Sequence, residues 1–102
     1  MNRGDIYMAE LPSGRRPAVI TTRDHAIPLL TNVTVASVTT RVRGLATEAP
    51  VGHSNGLRFD SVINCDSLMT IPKSALQRRT GELNPEQLFR FDVALKIALG
   101  LD

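Results

Sequence analysis

The chain has 102 residues, a hydrophobic fraction of 42% and a formal net charge of +2, with a sequence pI near 9.2. That length gives one domain, residues 1–102, whose modest core a dimer would help to bury. No apolar run is long enough to cross a membrane, no apolar segment follows the N-terminal residues as in a secretory signal, and one cysteine cannot form an internal disulfide.

Taken in order, Gly4 to Leu11 opens with the apolar run Ile6-Tyr7-Met8-Ala9, a first strand. Pro12-Ser13-Gly14-Arg15 has turn chemistry. Arg16-Pro17 then leads into Ala18-Val19-Ile20. A proline fixes φ and lacks an N–H, so it suits the first residue of a strand, and the apolar run reads as a buried strand ending near Thr22. Arg23 to Pro28 reads as a loop. In the third strand Val33, Val35 and Ser37 face one way and Thr34, Ala36 and Val38 the other, and the run ends in Thr39-Thr40.

Arg41-Val42-Arg43-Gly44 is a basic turn. Leu45–Ala49 reads as a fourth strand stopped by Pro50, and Val51–Arg58 as a flexible loop with Asn55-Gly56 as its turn signal. Asp60–Asp66 is a fifth strand, which Ser67–Ile71 continues or bends away from. Pro72–Leu76 predicts a short helix that Arg78-Arg79 leave, and Thr80–Leu83 a last short strand. The final helix carries the most local signals. Asn84 is its N-cap, Pro85 its first residue and Gln87 lies three after the cap. Leu88, Phe91, Leu95 and Ala98 or Leu99 form its apolar stripe, Asp92 and Lys96 an i,i+4 pair, and Gly100 its stop. Short strands without long crossover helices predict a mainly β, α+β chain: a small barrel or strongly twisted sheet with a short helix and a C-terminal helix.

The charge is unevenly spread. Through Arg79, ten bases face six acids, for +4; beyond it Arg90 and Lys96 face Glu82, Glu86, Asp92 and Asp102, for −2. Ten of the twelve bases are arginine, the better residue for bidentate phosphate contacts. This pattern fits one anion-binding face, and equally an arginine-rich solvated surface. His25 and His53 sit in separate loops, and no Cys or His spacing suits zinc. No Gly-rich loop precedes a lysine and no nucleophile elbow is present. Four aromatic residues make a poor base-stacking platform. Cys65 reads as a small buried apolar residue rather than a nucleophile, in keeping with a reducing cytoplasm. What remains is arginine and hydroxyl residues at strand ends: Arg16, Thr21, Thr22, Thr39, Thr40 and Ser67. Such a set can stabilise the charge that gathers on phosphoryl oxygens when an RNA 2′-OH attacks its own phosphorus.

Five segments then occur in an order that resembles the MazF/PemK toxins of type II toxin–antitoxin systems. They are Arg3-Gly4-Asp5-Ile6-Tyr7, Arg16-Pro17-Ala18-Val19-Ile20, Val35-Ala36-Ser37-Val38-Thr39, Asp60-Ser61-Val62-Ile63, and Asn84 through Leu101. The resemblance spans essentially the whole chain. It implies an SH3-like β-barrel of the CcdB/PemK type with a C-terminal helix, working as a cytoplasmic homodimer. It implies a metal-independent, sequence-specific endoribonuclease that cuts single-stranded RNA to 2′,3′-cyclic phosphate and 5′-OH ends. It also implies a MazE-like antitoxin whose acidic tail blocks the RNA groove, and no cofactor.

By that resemblance Arg16 and Thr39 are the catalytic residues. Arg16 would stabilise transition-state charge and protonate the leaving oxygen, a role that needs an unusual environment for an arginine. Thr39 would orient the scissile phosphate. Arg15, Thr40, Arg41 and Ser67 are expected to bind substrate, Ser67 where many members carry a polar residue that lines the site. One departure is the loop between the first two strands. Many members have a longer one with a Gly-Ser-Glu-Gln type sequence; here it is Pro12-Ser13-Gly14-Arg15, without the acidic residue, which leaves the general base unassigned and should change which RNA bases are read. CcdB gyrase poisons share the fold, so a gyrase poison and a non-catalytic RNA-binding module are the competing readings.

Overall fold

The computed structural model describes residues 1–101. Its strands are β1 (Asp5–Leu11), β2 (Gly14–Ile20), β3 (Asn32–Thr39), β4 (Glu48–Val51), β5 (Ser61–Pro72) and β6 (Leu76–Glu82), and one helix, α1 (Pro85–Leu99), follows them. The strands make one antiparallel sheet in the order β4-β5-β3-β2-β1-β6. Single 3₁₀ turns lie at Ile27–Leu29, His53–Asn55 and Lys73–Ala75.

The helix forms as its caps predict. The Asn84 side chain accepts from Gln87 N at 2.8 Å, and Gln87 Oε1 accepts from Asn84 N at 3.0 Å. At the other end Gly100 takes φ +68, and the N–H groups of Gly100 and Leu101 donate to Ile97 O and Lys96 O. Phe91, Ala94 and Leu95 are its buried face. Asp92 pairs with Arg3 at 2.8 Å rather than with Lys96. Arg3 also donates to Thr21 O and lies over the Phe91 ring, which ties the N-terminal segment to the helix.

Both faces of the sheet are apolar near its centre, which is why Ala18, Val19 and Ile20 are all buried. On one side Ile6, Val19, Ala36, Val38, Ile63 and Cys65 pack under α1. On the other, Ala9, Ala18, Ile20, Val33, Val35 and Ile71 form a second cluster. Cys65 is 1% exposed and its thiol is pushed up to about 12, first by burial and then by the charge of Asp66.

The sheet curls without a closed ladder; β4 and β6 are its edges. The segment after β4 meets β6 through Asn55. That residue is 1% exposed, and its Nδ2 donates to Glu82 O at 2.8 Å and to Gln87 Oε1 at 2.7 Å. Added Cβ atoms at Gly56 and Gly81 would stand 1.9 Å from Thr80 O and 2.2 Å from Asn55 O, so the two backbones close on each other there. Asn55 is thus a buried clasp between the sheet edges, with the exposed Gly56 closing against Thr80, and Asn55-Gly56 is not the turn of a flexible loop.

Four element expectations change. β2 begins at Gly14, so Pro17 lies inside it; it is tolerated because the β2–β3 ladder covers only Ala18–Ile20 and Pro17 pairs with β1 alone. The fourth strand is Glu48–Val51 and includes Pro50, which an edge strand permits. The helix expected over Pro72–Leu76 shrinks to one 3₁₀ turn. Arg78 and Arg79 belong to β6, held by β1 across bulged pairs.

Candidate active site

The site begins where a ladder ends. Ala18 faces Ser37 in the last paired position of β2 and β3. Two residues further out on the same face are Arg16 and Thr39. Unpaired there, the strands leave a cleft of about 250 Å³ lined by Arg16, Ser37, Thr39, Arg41, Arg43, Asn64 and Ser67. On the other side of Arg16 and Thr39 a second hollow of about 230 Å³ is lined by Arg15, Pro17, Val38 and Thr40 as well. All six residues expected at the site therefore line one of these two adjoining hollows.

β5 builds the far wall. Asn64 is opposite Ser37, yet Leu68 is opposite Ala36, so Cys65, Asp66 and Ser67 are an excursion with no partners on β3. The excursion is anchored: Cys65 N donates to Thr47 O at 3.0 Å, Asp66 N to Asn64 Oδ1 at 3.0 Å, and Thr47 Oγ1 to Asp66 Oδ2 at 2.6 Å. It brings Ser67 to the cleft while Cys65 turns into the core.

Arg16 is half-buried and its Nε is fully buried with no hydrogen-bond partner. A buried donor left unpaired is costly, so this Nε is available to an acceptor from outside. Among the described residues no carboxylate pairs with Arg15, Arg16, Arg41 or Arg43. The Thr39 hydroxyl accepts from Arg41 N at 3.1 Å, which leaves its own proton to donate. The donor set is thus guanidinium and hydroxyl groups facing a space for an anion.

Ser37, Arg43 and Asn64 were not among the expected site residues. Ser37 had a signal, a serine closing the Val33-Val35 face of its strand. Arg43 lay in the basic turn. Asn64 had none, because its place depends on the β5 excursion.

Fold and cleft together define a small β protein with a cationic, hydroxyl-lined cleft at the open end of a sheet. The chain belongs to the family described as PemK-like, MazF-like toxin of type II toxin–antitoxin system, whose pattern it matches over residues 2–99. It is 47% identical over 97 residues to "Endoribonuclease MazF3" of Mycobacterium tuberculosis, an alignment covering 95% of this chain and 93% of that protein. The solved structure of Mycobacterium tuberculosis toxin MazF-mt6 superposes with a TM-score of 0.91 at 47% identity, covering 96% of this chain and 98% of that one. A mycobacterial endoribonuclease in complex with its cognate antitoxin superposes with a TM-score of 0.91 at 29% identity, covering 100% of this chain and 97% of that one. The SH3-like barrel fold expected from the sequence is the fold of these toxins.

Proposed function

We infer that this chain is an endoribonuclease toxin that cuts single-stranded RNA at the Arg16–Thr39 cleft, without metal, and thereby stops translation. The observation that carries the site is the buried, unpartnered Nε of Arg16 beside a threonine hydroxyl with a free proton. In the reaction the 2′-OH gives its proton to water, its oxygen bonds to phosphorus and the bond to the 5′ oxygen breaks, giving a 2′,3′-cyclic phosphate and a 5′-OH. Negative charge grows on the phosphoryl oxygens in between. A fixed guanidinium meets that charge more strongly than it meets the ground state. Thr39 holds the phosphate in line. Arg16 acts through charge; a guanidinium keeps its protons, so the leaving 5′ oxygen is protonated from water. Arg15 and Thr40 on one side, and Arg41 and Ser67 on the other, bind the flanking RNA.

The relatives named as endoribonucleases favour this reading over a gyrase poison or a passive RNA-binding module. The protein works as a homodimer in the cytoplasm. A MazE-like antitoxin neutralises it with an acidic tail, which competes for the guanidiniums that carry no internal carboxylate. Purified protein incubated with single-stranded RNA in EDTA should yield fragments whose mapped 5′ ends are hydroxyls at a shared sequence. Intact RNA across a broad set of sequences, or cutting that EDTA abolishes, would contradict it.

A further inference from the structure

The segment that carries Arg41 and Arg43 has no ladder partner, yet it is fixed at two points. Arg41 N donates to Thr39 Oγ1. Glu48, the first residue of β4, takes the rest. Its Oε1 accepts from Gly44 N at 2.8 Å, Arg43 N at 3.1 Å and Leu45 N at 3.1 Å, and its Oε2 from Arg43 N at 3.3 Å. Three successive N–H groups converging on one anion make a nest, here filled by the protein's own carboxylate. Gly44 takes φ +75, and with nothing within 4 Å of an added Cβ, it is this left-handed backbone rather than space that calls for glycine.

The carboxylate spends its acceptor capacity on the main chain. Among the described residues no carboxylate forms an ion pair with the guanidinium of Arg41 or Arg43, and both line the cleft wall. We propose that Glu48 is a positioning residue for RNA cleavage: it sets the backbone of Arg41–Leu45 so that Arg41 and Arg43 hold the substrate's phosphates. The proposal rests on the cleft being the RNA site.

Charge alone predicts the opposite sign. Removing a carboxylate beside an anion site should tighten RNA binding. Loss of positioning should weaken it, so the direction of the change decides between the two.

The test is steady-state cleavage of a short single-stranded RNA with one mapped site, with melting curves giving the folded fraction. Glu48→Ala should raise KM about tenfold and leave kcat within about threefold, and Glu48→Gln, which keeps one acceptor, should fall between it and wild type. In a background lacking both guanidiniums, Arg41→Ala with Arg43→Ala, Glu48→Ala should add little further, since the groups it positions are gone. An unchanged or lower KM for Glu48→Ala, or the same increment in both backgrounds, would overturn the proposal. If Glu48→Ala does not fold, the same cycle is run with Glu48→Gln under the same criteria. Arg16→Ala is the control. If it cleaves like wild type, the site itself is misassigned; if it is inactive while Glu48→Ala matches wild type, only the positioning role fails.

Discussion

The arginines around the helix and those around the cleft are treated differently. Arg3 binds Asp92, Arg90 binds Glu86, and Arg79 binds Asp5 and Glu82. Arg15, Arg16, Arg41 and Arg43 have no such partner among the described residues, and the one nearby carboxylate with several contacts, Glu48, is occupied by backbone N–H groups. In the first region cations help to hold the N-terminus, the sheet edge and α1 together. In the second they are left available. On the proposed function, the groups that fold the protein are separate from the groups that meet a polyanion, and substitutions in the two regions should fail differently.

The largest effect on the folding side is expected at Phe91. It is fully buried between sheet and helix, so Phe91→Ala should lower stability by about 3–5 kcal/mol while activity per folded molecule stays near wild type. Denaturant melts paired with active-site titration check it; a loss of turnover in the folded fraction would blur the contrast. On the cleft side Thr39→Val keeps the β-branched shape and removes the hydroxyl. It should cost about 1–3 kcal/mol of transition-state stabilisation, up to roughly a hundredfold in kcat, with little change in melting. Equal losses of stability and rate would break the comparison.

The smallest effect sharpens it. The Cys65 thiol opens the excursion that carries Ser67 and turns into the helix-side core. With its folded value near 12 and its ordinary value at 9.0, the folded thiol keeps a proton that the unfolded one releases, so its contribution to stability falls as pH rises above 9. Native protein should therefore resist thiol alkylation near pH 8 and react once unfolded. Rapid labelling of the native state would place Cys65 at the cleft instead of in the core.

The parts of this molecule legible in the sequence are those set by local rules. The caps of α1 name it without reference to the rest of the chain. Arg16 and Thr39 stood among six arginine and hydroxyl residues near strand ends, and the resemblance to the MazF/PemK toxins picked them out of that set. What local rules cannot show is register. Asn64 reaches the cleft only because three residues of β5 leave the ladder, and Asn55 becomes a clasp only because the end of β6 returns to it from 27 residues away. Pro17 and Pro50 misled for a related reason. A proline marks a strand boundary unless its side of the strand is unpaired, and pairing is a property of the whole sheet.

On the proposed function the guanidinium of Arg16 meets the charge that develops on an RNA phosphate. Single-turnover cleavage of a mapped RNA by Arg16→Ala, beside wild type and with melting curves on both, tests it most directly. The expected result is a cleavage rate lower by about 10²–10³ with unchanged cut position in the residual product and no loss of stability. Cleavage by Arg16→Ala within a few-fold of the wild-type rate would contradict it.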